Sequence, residues 1–414
     1  MTPSRTDAVF RNPTAGRPLA VRVGNRIGRP FIERVDLSSD AIVERAVRGM
    51  SPDACERIVF RDALDALCRS MCAETKMNLV GRISAREDTA RLLRTQIRIQ
   101  EALERFPEIR ETPLPRPIYV IGWPRTGTTI LHNLLARDPA HRALLYYEGF
   151  DPAAPARGKD TRKAKLSKVL RGLEYMAPGY RAIHAMNADS VEECVTIMYH
   201  TFSTPQFEFQ YQCADYLSFL ETRGTRDAYE HYREQLRMLQ YYRPHGERWV
   251  LKDPAHLYAL DTLLELFPEA RFIWIHRDPA RALGSIASLT AHTRALFSDA
   301  HDGESIGRDV LAGAWPRGLQ RGLELRERLP ADRFIDVRYA DFMQAPMATM
   351  RSVYDALGLE LSAVAGKSME RHLAVHPQGS EGVHRYTPEQ FGIDPGTIRR
   401  QWSDYIERFG IPPE

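Results

Sequence analysis

Apolar positions recur along the first quarter of the chain at the spacing of a helix face. Phe60, Leu64, Leu67 and Met71 make one stripe, and Leu92, Ile99, Leu103 and Phe106 make another. Residues three, four or seven apart fall on one side of an α-helix, so both stripes read as core-facing. Ser51 followed by Pro52 predicts an N-cap and a first helical residue ahead of the first stripe. Helical texture therefore runs from Asp36 to Phe106. The residues before it are polar, with Pro and Gly, and read as a loose arm.

After Pro113-Leu-Pro-Arg-Pro117 the texture changes. Short apolar runs appear at Ile118–Ile121, Trp249–Leu251, Arg271–Ile275 and Arg333–Val337, and a helical pattern, Leu257–Phe267, separates two of them. Strands alternating with helices predict an α/β fold with a parallel sheet covered on both faces. Residues 151–245 read as a helix-rich insertion whose basic stretch, Arg157 to Arg171, is expected to be a solvated face. The segment His384 to Glu414 is expected to pack over the domain as a tail. The organisation expected is a flexible arm at 1–35, a helical region at 36–112, and an α/β domain at 113–414 carrying the insertion.

Composition changes this picture little. The 414 residues suffice for a large core, and 27% charged with 43% hydrophobic residues is ordinary for a soluble protein. A formal charge of +3 is too small to argue for nucleic acid or a membrane surface, so any anion site must be local. No apolar run is long enough to span a bilayer, and the first residues lack the apolar core of a secretory signal. The five cysteines are scattered and odd in number, which favours free thiols in a reducing cytoplasm over disulfides or zinc.

The chemistry concentrates where the first strand ends. Gly122-Trp-Pro-Arg-Thr-Gly127 has the glycine spacing of a P-loop, but Thr128 and Thr129 follow instead of Lys and Ser/Thr. Without that lysine the loop still offers backbone N–H groups and a positive helix end to an anion. Arg125, inside the loop, supplies the cation. That design fits a nucleotide without a γ-phosphate. A second segment, Trp249-Val-Leu-Lys-Asp-Pro-Ala-His256, ends another strand. In the third, a strand ends at His276-Arg277-Asp278-Pro279, with Ser285 about two helical turns beyond Arg277. A guanidinium at a strand end and a hydroxyl on the next helix can clamp one phosphate from two sides. All three segments lie at the sheet edge where open α/β folds bind ligands.

On these residues the chain resembles the sulfotransferases that use 3′-phosphoadenosine 5′-phosphosulfate. Pro124-Arg-Thr-Gly-Thr-Thr129 is similar to their 5′-phosphosulfate loop, and Arg277 with Ser285 to the pair that grips the 3′-phosphate. A bacterial branch with a helical N-terminal region is the nearest likeness, through Met77-Asn-Leu-Val-Gly-Arg82, Leu251-Lys-x-Pro-x-His256 and Phe391-Gly-Ile-Asp. The resemblance implies a P-loop NTPase-like parallel sheet flanked by helices, and sulfuryl transfer to a hydroxyl of a small or lipid-like acceptor without a metal. It implies donor contacts from Arg125, Thr126, Gly127, Thr128 and Thr129, from Arg277 and Ser285, and from Tyr339 near the adenine. His384 and Arg385 would add a second grip on the 3′-phosphate, and Lys252 would approach the sulfuryl group.

The base that takes the acceptor proton stays open at this level. Glu148 matches the place of a glutamate base in the glycan and tyrosine branches. His256, the pair Glu192-Glu193 and His184 are the other candidates. Two rival functions also stay open: a non-catalytic adenine-nucleotide-binding protein, and a P-loop phosphotransferase with Asp253 as its metal carboxylate. The scattered thiols, the small net charge and the lack of long apolar runs predict a cytoplasmic enzyme with no nucleic-acid partner and no integral membrane segment.

Overall fold

Apolar runs buried on both faces form the three central strands of the sheet, as parallel sheets require. In the computed structural model, which describes residues 14, 16–154, 159–176, 187–300, 302–376 and 386–414, five strands form one sheet. They are β1 (Ile118–Ile121), β2 (His141–Ala143), β3 (Arg248–Lys252), β4 (Arg271–His276) and β5 (Phe334–Arg338). Their order is β2-β3-β1-β4-β5 and every pairing is parallel, with Ile118 opposite Val250 on one side and Arg271 on the other.

Side chains alternate across each strand. Tyr119, Ile121, Trp249, Leu251, Phe272 and Trp274 join an aromatic-rich core on one face. Ile118, Val120, Val250, Ile273, Ile275 and Val337 join an aliphatic core on the other. The first face is covered by the helix Arg226–Tyr242, the segment 254–266 and the tail. The second is covered by the helix Thr128–Leu135 and the helices between Pro346 and Val375.

β2 escaped sequence reading because its three residues, His-Arg-Ala, carry no apolar run. It is held by its side chains instead: His141 Nδ1 lies 2.9 Å from the Leu135 carbonyl, and Arg142 donates to the Leu239 carbonyl at 2.8 Å. The expected helix at Leu257–Phe267 is a 3-10 turn, Pro254–Tyr258, followed by a helix at Leu260–Leu266.

Two expectations about the first hundred residues need correction. Ser51-Pro52 does not open the helix; it leads into a 3-10 turn at Ala54–Arg57, and the helix runs Arg61–Glu74. Phe60, in a left-handed conformation with φ 57°, forces the delay. The polar arm is helical from Leu19 to Gly28, with a 3-10 turn over Arg29–Arg34. Tertiary contacts hold it: Asn25 Oδ1 accepts from the Val80 amide at 3.0 Å, and Gly28 packs on the Leu79 side chain.

Leu64, Leu67, Met71 and Leu92 share a core with Phe202, Phe207, Tyr211 and Tyr216 of the insertion. Met77-Asn-Leu-Val-Gly-Arg82 works as a joint in this region. Asn78 caps the helix Leu79–Arg105 by accepting from the Gly81 amide, Gly81 lies against the Phe297 backbone, and Arg82 donates to the Val35 carbonyl at 2.7 Å.

The described part of the tail packs as expected. Trp402 meets Trp123 edge-on at 5.3 Å, and the Tyr405 hydroxyl lies 3.0 Å from His276 Nδ1. Among the described residues no helix is long and apolar enough to cross a membrane.

Candidate active site

The glycine-spaced loop leaves β1 under tight steric constraint. Gly122 has φ 132°, and a Cβ there would stand 2.6 Å from the Ile275 carbonyl oxygen. Gly127, at φ 88°, is the N-cap of the helix Thr128–Leu135 and has no side chain to cap it. The first amides of that helix have no partner one turn earlier, so they and the helix dipole face whatever sits in the loop. Thr126 is buried, and its hydroxyl donates to the Trp123 carbonyl at 2.7 Å. Its side chain therefore braces the loop, and Thr126 is outside the described lining of the cavity.

That cavity, of about 410 Å³, opens over the loop and the ends of β1, β3 and β4. Arg125, Gly127, Thr128, Thr129, Lys252, Arg277 and Tyr339 line it, together with Glu192 and Glu193 from the insertion. Arg125 takes φ 67°, a left-handed conformation that costs a non-glycine residue about 1–2 kcal/mol. Its Nε donates to Ser285 Oγ at 3.2 Å, and the Arg277 guanidinium donates to the Arg125 carbonyl at 2.6 Å. The two anion clusters read from sequence are thus in direct contact. Among the described residues Arg125 has no carboxylate partner, and burial, with Arg277 adding repulsion, pulls its pKa down. A half-buried guanidinium beside a second cation and a helix N-terminus leaves positive charge uncompensated among the described residues.

Arg277 stacks on the Tyr339 ring at 4.0 Å. Two of its N–H groups donate to the Glu414 carboxylate at 2.8 and 2.7 Å. Burial opposes its charge, but Glu414, with Tyr339 and Tyr386 adding to it, outweighs burial and raises its pKa. No sequence signal pointed to Glu414, because this contact joins residues 137 apart. His384 and Arg385 lie outside the described residues, as does His184. Tyr386 is described, and its hydroxyl donates to the Arg281 carbonyl at 3.3 Å.

Lys252 ends β3. Its ammonium donates to Thr129 Oγ1 at 3.1 Å and pairs with the Glu193 carboxylate. Backbone bonds bring the insertion there: Leu145 bridges Val191, and the Cys194 amide donates to the Lys252 carbonyl at 2.8 Å. Glu192 Oε1 accepts from the Glu193 amide at 2.9 Å. Asp253 turns inward to cap the 3-10 turn at Ala255, and burial, with the Glu193 charge adding to it, raises its pKa to about 7.

The other base candidates lie elsewhere. Glu148 is buried, accepts from the Leu145 amide at 3.2 Å, and pairs with Arg142 and Arg243 at 3.5 and 3.4 Å. It is outside the described lining of the cavity. His256 is fully buried among Tyr119, Tyr229 and Tyr232, and burial lowers its pKa to about 3. Of the insertion's aromatics, Tyr199 and Phe209 line the cavity, whereas Phe202, Phe207 and Tyr211 pack in the core shared with the N-terminal helices. Tyr146, Val195, Leu289 and Trp315 complete the apolar wall, and sequence reading missed them because each comes from a different element.

Comparison with known proteins identifies the family and the fold. Residues 117–363 match the family model described as "Sulfotransferase family". The chain is 28% identical over 310 residues to the omega-hydroxy-beta-dihydromenaquinone-9 sulfotransferase Stf3 of Mycobacterium bovis, covering 71% of this chain and 75% of that protein. Among solved structures it is similar to sulfotransferase STF1 of Mycobacterium tuberculosis H37Rv, with 27% identity, a TM-score of 0.76, and 88% and 98% of the two chains covered. It is also similar to STF9 of Mycobacterium avium, with 26% identity, a TM-score of 0.78, and 91% and 98% covered.

Proposed function

Because the chain belongs to the sulfotransferase family, we propose that it transfers a sulfuryl group from 3′-phosphoadenosine 5′-phosphosulfate to the hydroxyl of an apolar, lipid-like acceptor. The observation that carries this reading is the half-buried Arg125, without a carboxylate partner among the described residues, between the Arg277/Ser285 pair and an open helix N-terminus. The local positive charge favours an anion there, and a donor with two anionic ends answers both clusters.

In this reading the loop amides, Thr128 and Thr129 hold the 5′-phosphosulfate. Arg277 and Ser285 hold the 3′-phosphate, and Tyr339 lies against the nucleoside. The acceptor oxygen bonds to sulfur as the bond from sulfur to the phosphate oxygen breaks. Negative charge then grows on the departing phosphate, where Lys252 and Arg125 stabilise it. The acceptor proton passes to Glu193, the carboxylate already paired with Lys252 at the cavity wall. Glu148 and Arg142 form a buried pair that positions the strand end. The apolar wall of Phe209, Leu289 and Trp315 favours an acceptor with a hydrocarbon body, and the mycobacterial relative is named for a hydroxylated menaquinone.

The test is to incubate the protein with sulfur-labelled donor and either a hydroxylated dihydromenaquinone or a water-soluble sugar. Mass spectrometry should find the sulfated menaquinone and adenosine 3′,5′-bisphosphate, with little sulfated sugar. Bisphosphate binding without turnover of either acceptor would favour a binding protein. Tighter binding of ATP with Mg²⁺ would favour a phosphotransferase.

A further inference from the structure

We propose that the helix Leu19–Gly28 and the turn Arg29–Arg34 form a docking surface for an anionic lipid bilayer. Leu19, Val23 and Ile27 are four residues apart and share one helix face. They are 71%, 44% and 68% exposed, and Phe31 just beyond is 43% exposed. Buried Asn25 and Gly28 occupy the opposite face, against the start of the helix Leu79–Arg105. An exposed apolar row on a firmly anchored helix has no reason within the fold, and such patches mark interaction surfaces.

Charge identifies the partner. From Arg17 to Arg34 the sequence holds five arginines and one glutamate, a net +4, against +3 for the whole chain. The rest of the protein is therefore slightly negative, and the overall charge hid a local concentration. Arg22, Arg26 and Arg29 are exposed, and none has a carboxylate partner among the described residues. With Arg17, Leu19 and Val23 they line a cleft of about 490 Å³. Its one carboxylate among the described residues, Asp299, is paired with Arg17. Guanidiniums around a cleft, with an apolar row alongside, match a phosphate headgroup and the acyl chains beneath it. A second copy of this surface would oppose like charges. Four apolar side chains also fall short of the roughly 800 Å² per partner of a stable protein interface.

The surface is tied to the active-site scaffold. Arg17 donates to the carbonyls of Ala295 and Ser298, which directly follow the helix Pro279–Arg294. Leu289 of that helix lines the cavity, and Ser285 accepts from Arg125, which lines it too. Docking there would hold the enzyme at the phase where a lipid-like acceptor resides. The docking proposal itself does not depend on the acceptor, because binding is measured with neither donor nor acceptor present.

The experiment is co-sedimentation of the full chain with vesicles of phosphatidylcholine alone or mixed with phosphatidylglycerol. Partition onto the anionic vesicles should be at least tenfold stronger and should fall with salt. The triple variant Arg22→Ala/Arg26→Ala/Arg29→Ala should lose at least tenfold, and Val23→Ser/Ile27→Ser should weaken binding as well. Lys165→Ala/Lys168→Ala/Arg171→Ala, which removes as much charge from the helix Arg162–Met176, should bind as the parent does. Melting curves check that each variant is folded, and the salt titration of the parent stands whatever the variants do. Equal partition onto neutral vesicles, equal losses in the two triple variants, or self-association without vesicle binding would each overturn the proposal.

Discussion

Arg277 shows what one residue can and cannot disclose. Its spacing from Ser285 was readable, but its bidentate pairing with Glu414 was not. If Arg277 takes the 3′-phosphate as proposed, Glu414 occupies the same donors and must yield. Arg277→Ala is then expected to weaken 3′,5′-bisphosphate binding at least tenfold, with far less effect on adenosine 5′-phosphosulfate. Glu414→Gln should instead tighten bisphosphate binding severalfold, because no charged competitor has to be displaced. Calorimetry on both variants decides; equal losses for the two nucleotides in Arg277→Ala would remove the 3′-phosphate assignment. The two glutamates make a second contrast. Glu193→Gln is expected to lower kcat about a hundredfold or more with bisphosphate binding retained. Glu148→Gln should keep most of kcat and cost roughly 3 kcal/mol of stability, since Arg142 would stay buried without its counter-charge. The reverse pattern would return the base to Glu148.

At the scale of elements, the strand-loop-helix unit is the most legible part of the chain. Its apolar run, glycine spacing and helix follow from local rules. What local rules miss is how close the neighbours come. At Gly127 a Cβ would stand 3.1 Å from the Tyr339 ring, with φ already at 88°. Gly127→Ala should therefore cost about 1–2 kcal/mol and weaken bisphosphate binding at least tenfold, through displaced loop amides. Gly172→Ala serves as the control: nothing lies within 4 Å of its Cβ, and a mid-helix alanine should gain up to about 1 kcal/mol. Thermal melts and calorimetry on the pair test this, and an unstrained, fully binding Gly127→Ala would contradict it. The Phe391-Gly-Ile-Asp segment follows the same logic: Gly307 leaves room for the Phe391 carbonyl, where a Cβ would stand 1.8 Å away.

Across the whole molecule, buried ionisable groups set the response to acid. Burial lowers His256 and His200 to about 3 and His132 to about 4, from an ordinary 6.5. Below pH 6.5 the unfolded chain gains a proton at each that the folded chain refuses, so their stabilising effect, full above 6.5, is lost as pH falls. Asp253 and Glu208, raised to about 7 chiefly by burial, act with the opposite sign between about pH 7 and 4. Among these five groups, three imidazoles against two carboxylates leave a net loss toward acid, and His372, lowered to about 4, adds to it. His256→Gln should cancel one imidazole's share, about 2–3 kcal/mol of the change between pH 7 and 4.5. Urea unfolding at the two pH values measures it, and an unchanged difference would mean that His256 titrates normally.

The sequence by itself determined the parallel α/β core, the lysine-free anion loop, the Arg277/Ser285 pair and the family likeness. Each of these rests on neighbours in the chain: alternation along a strand, glycines at fixed offsets, a hydroxyl two turns past a guanidinium. Tertiary structure alone decided that the two anion clusters touch, that Glu193 meets Lys252 while Glu148 stays behind Arg142, and that the insertion's aromatics divide between the cavity and a distant core. It also turned a polar arm into an anchored helix with an exposed apolar row. Those outcomes depend on contacts between residues far apart in sequence, where packing and desolvation, not local propensity, set which groups meet.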